Sequence, residues 1–231
     1  MHALPPGPHT VPVGTQLPLS GTEAVIIGLM SLAIVGIPFL WPLVQHFSVM
    51  AHEGAHAVTG SLLGFPPVGG VVLNSDATGG TSFSPSLRGS RLAVTAVAGY
   101  LGPSAFGLCA AKLIETGHVI SVLWIAVILL VLLLFLIRQS FGIVSVPVAI
   151  ALLVIVMRYA HNGLEEVIVY ATTWLLLLSG VRVAVMRGAE AADAGLLSAT
   201  THLPRHLWAL LWLAGTVLAV IIGGKWLVLR T

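Results

Sequence analysis

Two histidines four residues apart flank a glutamate in the run His52-Glu53-Gly54-Ala55-His56. On a helix this spacing puts both imidazoles on one face, where they can share one Zn²⁺, and it leaves Glu53 beside the metal's water as a base. A set equipped in this way performs metal-assisted hydrolysis of a peptide bond. The run lies in a chain that is 57% hydrophobic and 8% charged, with a mean hydropathy of +1.03. Ionisable groups among apolar helices are expensive and usually functional. One Glu and two His without a metal would be costly there, so zinc binding outweighs a purely structural polar cluster.

Helices must hold such a set in place. Apolar segments at about 24–41, 43–63, 92–114, 119–137, 143–159, 167–186 and 207–229 predict an all-α membrane protein, a polytopic bundle of about six to seven spans. Pro42 alone separates the first two, which therefore read as one kinked or broken element. From Ser48 to Leu63 there is no proline, so a helix carries the motif. Its lower hydrophobicity suits a helix buried among others rather than facing lipid.

The longest polar stretch runs from Gly64 to Arg91. Val71-Val72-Leu73, the turn-rich Asn74 to Gly80, and Thr81-Ser82-Phe83-Ser84 predict a small β-hairpin directly after the metal helix. It is either a plain connection or an exposed edge that accepts an extended substrate by strand addition. Residues 1–22, with Pro5, Pro6, Pro8, Pro12 and Pro18 and no Lys or Arg, read as a flexible leader rather than a secretory signal. Residues 23–231 form one membrane domain. Placing the hairpin in the cytoplasm puts Arg88, Arg91, Arg138, Arg182, Arg187 and Arg205 on that side, against Lys112, Arg158, Lys225 and Arg230 elsewhere. The net charge of +2, without a basic cluster, argues against nucleic acid. Cys109 is alone, which excludes an internal disulfide and a Cys-based zinc cluster, and it reads as a small core residue.

A catalytic zinc takes three protein ligands and keeps one position open. Spacing leaves the third among Asp76, His161, Glu165, Glu166, Asp193, His202 and His206. Residues 187–199 are too polar for an ordinary span and too apolar in their second half for a plain linker, so 191–200 read as a short helix or re-entrant segment. Asp193 there is either a ligand or a dipole-favoured residue near a helix start.

The chain resembles the site-2 protease family of intramembrane zinc metallopeptidases, in particular a compact actinobacterial-type branch. The resemblance rests on His52 to Ala57, Leu73 to Gly79, Ala98 to Ser104 and Ile137 to Gly142, then on Ser179 to Arg182, Asp193-Ala194 and Thr201 to Pro204. It implies Zn²⁺ held by His52, His56 and Asp193, with Glu53 as catalytic base. Two departures stand out. Gly54 and Ala55 fill the variable positions where the family usually has Gly directly before the second His. The late motif, often Ser-Asp-Ala-Asp in this branch, is here Ala192-Asp193-Ala194-Gly195. The function so implied is a zinc metalloendopeptidase of regulated intramembrane proteolysis in the bacterial plasma membrane. Its substrate would be a membrane-anchored protein, such as an anti-sigma factor, cut within or near its transmembrane segment. The alternative is an inactive membrane scaffold or regulator of the same fold. A transporter fits less well, since no pair of broken helices recurs in two halves.

Overall fold

Ser20 and Glu23 open the first helix with a capping box. The Ser20 hydroxyl accepts from the Glu23 amide at 3.3 Å, and the Glu23 carboxylate accepts from the Ser20 amide at 2.7 Å. The computed structural model describes residues 19–160 and 163–229. Residues 1–18 of the expected leader, together with His161 and Arg230, lie outside the described residues. Among the described residues eight α-helices follow one another: α1 Gly21–Gly36, α2 Gln45–Leu62, α3 Gly89–Glu115, α4 Val119–Leu136, α5 Ser140–Tyr159, α6 Leu164–Arg187, α7 Ala192–Thr201 and α8 Arg205–Val228. Between α2 and α3 stands one hairpin, β1 Gly70–Leu73 and β2 Gly79–Ser82.

Among the described residues five helices (α3, α4, α5, α6 and α8) are long and apolar enough to cross a membrane, and α1 is a shorter apolar helix. The protein is a multi-pass membrane protein. The motif helix α2 is not one of the five, because its polar residues lower its hydropathy. It packs instead along α3, the hub of the bundle, which also touches α6, α7 and α8. Small residues permit the approach. A side-chain carbon at Gly102 would lie 2.4 Å from the Ala55 methyl, so only glycine lets α2 and α3 come this close.

The break expected at Pro42 takes the form of a single 3-10 turn, Trp41–Leu43, between α1 and α2. A helix ending inside a bundle exposes carbonyls that need donors. Arg182 of α6 supplies them, reaching Val35 O and, at 3.1 Å, Gly36 O. Its guanidinium also sits 4.9 Å over the Trp41 ring. Arg182 thus braces the break.

The hairpin is antiparallel, with Val71 opposite Thr81. The outer edge of β1 is taken: Val71 bridges to Ile137, and the Arg138 amide donates to Val71 O at 3.0 Å. The outer edge of β2 has no partner strand among the described residues. Cys109 differs from its sequence reading and is exposed on α3. In a helix apolar on nearly every side, periodicity does not separate a lipid-facing position from a core one.

Candidate metal centre

The two imidazoles of α2 converge. His52 and His56 bring their Nε2 atoms to 3.1 Å, and Asp193 Oδ2, from the first turn of α7, lies 3.3 Å from each. Around a tetrahedral zinc with ligands at about 2.0–2.1 Å, neighbouring donors stand roughly 3.3 Å apart. The three atoms therefore have the spacing of one face of such a site. They form the one group of three His, Cys, Asp or Glu side chains among the described residues that could hold a metal ion.

The surroundings orient each donor. The His56 ring lies against α3, where its Nδ1 stands 2.8 Å from Thr95 O. A backbone carbonyl only accepts, so Nδ1 carries the proton and Nε2 keeps its lone pair for a metal. Thr95 is six residues into α3, about 9 Å along the helix axis from Gly89. His52 is wedged by Tyr100, whose ring meets it edge-on at 5.0 Å and stacks on Trp212 at 4.0 Å. Asp193 is placed by the apolar residues around it. Ala194 and Leu197 of α7 are fully buried in a cluster with Ala96, Tyr100, Ala184 and Trp212. Gly195 lies under the Arg205 guanidinium, 2.9 Å from where its side-chain carbon would begin. Of the two positions that depart from the Ser-Asp-Ala-Asp pattern, Ala192 is exposed and Gly195 is half-buried beneath Arg205.

Gly99 touches the centre directly. A side-chain carbon there would stand 2.2 Å from His56 Nε2. In Gly99→Ala protein the imidazole should be displaced, and zinc content should fall with helical circular dichroism unchanged. Full zinc content in this variant would contradict the packing.

Glu53 is buried, 4% exposed, and faces the hairpin. Thr81 of β2 donates to its Oε2 at 2.7 Å, and Gly79 lies against its Oε1, with room for no side chain. Thr81 is the one hydrogen-bond donor to this carboxylate among the described residues. A cavity of about 620 Å³ joins Glu53, the three converging donors, Gly79 to Thr81 and Tyr100.

The other candidate ligands among the described residues stand apart from this group. Asp76, exposed in the hairpin turn, is occupied with Thr78, whose hydroxyl and amide donate to it at 2.7 and 3.0 Å. These hydrogen bonds hold its carboxyl below the usual carboxylate range. His202 and His206 are exposed around the start of α8, and Glu165 and Glu166 lie in the first turn of α6. Sequence reasoning missed the roles of Thr81, Thr95 and Gly79. The polar Gly79-Gly80-Thr81 on an otherwise short apolar hairpin is the one signal that hinted at them.

A family model described as Peptidase M50B-like matches residues 25–223. Neither a curated protein nor a solved structure matches the chain. The matched stretch begins in α1, takes in the hairpin and every residue of the centre, and ends inside α8. The chain belongs to the Peptidase M50B-like family, a site-2 protease family of membrane metallopeptidases.

Proposed function

We propose that the protein is an intramembrane zinc endopeptidase that cuts a membrane-anchored protein within or near its transmembrane segment. Its hairpin would face the cytoplasm across a bacterial plasma membrane. The observation that carries this reading is the triangle of two imidazole nitrogens and a carboxylate oxygen beside a buried glutamate. His52, His56 and Asp193 would hold Zn²⁺, as a two-His, one-carboxylate donor set. When bound, the metal supplies a Lewis acid that makes water acidic enough to attack near neutral pH.

The remaining work falls to the chain. Glu53 accepts the proton of the attacking water as its oxygen adds to the peptide carbonyl carbon. It then passes that proton to the amide nitrogen as the C–N bond breaks, leaving a carboxylic acid and an amine. A helical substrate must unwind first, because its peptide bonds are shielded and already hydrogen-bonded. The free edge of β2, which lines the cavity at Gly79 to Thr81, suits an unwound strand. Pairing there would lay a peptide carbonyl alongside Glu53.

Thr81 positions the base in this reading. Thr81→Val keeps the shape but removes the hydroxyl, and a hydrogen bond to a charged group is worth about 1.5–3 kcal/mol. A fall in kcat of roughly 10- to 100-fold is expected, with KM and zinc content unchanged and activity retained in Thr81→Ser. Equal turnover of the Val variant would remove this role from Thr81. The function itself is tested in proteoliposomes, where wild-type protein should cut a single-span polypeptide and Glu53→Gln protein should not. Intact substrate with zinc-loaded wild type would favour the inactive scaffold.

A further inference from the structure

We propose that Tyr100 is a further catalytic residue. Its phenol would donate a hydrogen bond to the oxygen of the scissile carbonyl as that oxygen gains negative charge. The proposal rests on the peptidase reading above. Hydrolysis of an amide builds charge on the carbonyl oxygen, and a fixed donor aimed at that charge is among the strongest devices an active site has. Most donors in the cavity are already committed. Thr81 serves Glu53, Thr78 serves Asp76, Thr95 serves the Arg91 carbonyl, and Arg182 serves the end of α1. Ser48 can turn its hydroxyl onto a carbonyl of its own helix. Gln45 and Arg187 carry long side chains that no described contact fixes.

Tyr100 differs from all of these. It is 8% exposed, lines the cavity beside Glu53 and Asp193, and its hydroxyl has no hydrogen-bond partner among the described residues. The hydroxyl itself keeps accessible surface and opens onto the cavity, where an entering ligand can reach it. The ring is not free to swing away, since it is stacked on Trp212 at 10° and set edge-on against His52. The next residue back, Gly99, packs on His56. The ring is therefore pinned beside His52, and no described residue takes its hydroxyl. A substrate carbonyl entering along β2 would supply the missing partner.

Tyr100→Phe tests this with little disturbance, because the ring and both of its aromatic contacts remain. Loss of one such donor typically lowers kcat by about 10²–10³-fold. The variant should show a fall of about 10²-fold in kcat, with KM, zinc content and helical circular dichroism as in wild type. A phosphinic peptide, whose tetrahedral anion mimics the charged carbonyl, provides a readout independent of turnover. Its affinity for zinc-loaded Tyr100→Phe protein, measured by calorimetry, should fall by a similar factor. A kcat within about twofold of wild type would overturn the proposal, as would unchanged affinity for the phosphinic peptide. Loss of zinc from the variant would also overturn it, by reducing Tyr100 to a prop for His52. If wild type cuts while Tyr100→Phe cuts as fast, only the Tyr100 assignment falls. If wild type cuts nothing, the peptidase reading falls and takes this one with it.

Discussion

Glu53→Gln protein should bind zinc as fully as wild type and cut its substrate roughly 10²–10⁴-fold more slowly, the range that a positioned general base contributes. Gln keeps the length and the acceptor oxygen that Thr81 addresses, so the hairpin should stay docked on α2. What it lacks is the ability to take a proton. Because Glu53 is outside the converging group, the metal should be indifferent to the change. Turnover and zinc stoichiometry, measured on the same preparation, separate the two effects. Unchanged cleavage would remove Glu53 from the mechanism, whereas lost zinc would mean that the glutamate supports the centre rather than acting as its base.

Asp193→Ala should lose zinc outright. Removing an outer-shell partner already costs about 10–100-fold in metal affinity, and removing a direct ligand should cost more. Two imidazoles four residues apart would remain, a weak bidentate pair on one helix. Asp193 Oδ2 stands 3.3 Å from both Nε2 atoms, and no other carboxylate joins the group among the described residues. Zinc per chain should fall from about one to near none, a three-ligand catalytic site being reduced to two. Helix content should be unchanged, since Ala194 and Leu197 still anchor α7. Retention of a full zinc complement would transfer the ligand role elsewhere.

How much of this could be read from the chain depends on whether each feature is local. The convergence of His52 and His56 is local, fixed by helical spacing over a proline-free stretch. The hairpin was equally visible in its apolar triplet and glycine-rich turn, and the short seventh helix in its intermediate polarity. The break between the first two helices was signalled by Pro42, though the Arg182 brace beneath it was not. Spacing gave no ranking of the third candidate ligand. Asp193 reaches the histidines through the packing of α7 on α3 and α8, a tertiary relation about 140 residues away in sequence, and such contacts leave no periodicity. Family resemblance had to supply that choice. Thr81 was hidden for the same reason, being a strand residue whose partner lies on a helix 28 positions earlier. Cys109 was misread because a membrane helix is apolar on its outward positions as well as on those facing its neighbours.

The decisive experiment is cleavage of a pooled library of single-span polypeptides in proteoliposomes, with cut sites mapped by mass spectrometry. Cuts are expected within the span or at its hairpin-side border. They should disappear when a chelator strips the metal and return when Zn²⁺ alone is restored. Zinc-loaded wild-type protein that leaves every member of the library intact would contradict the endopeptidase reading and leave a metal-binding scaffold in its place.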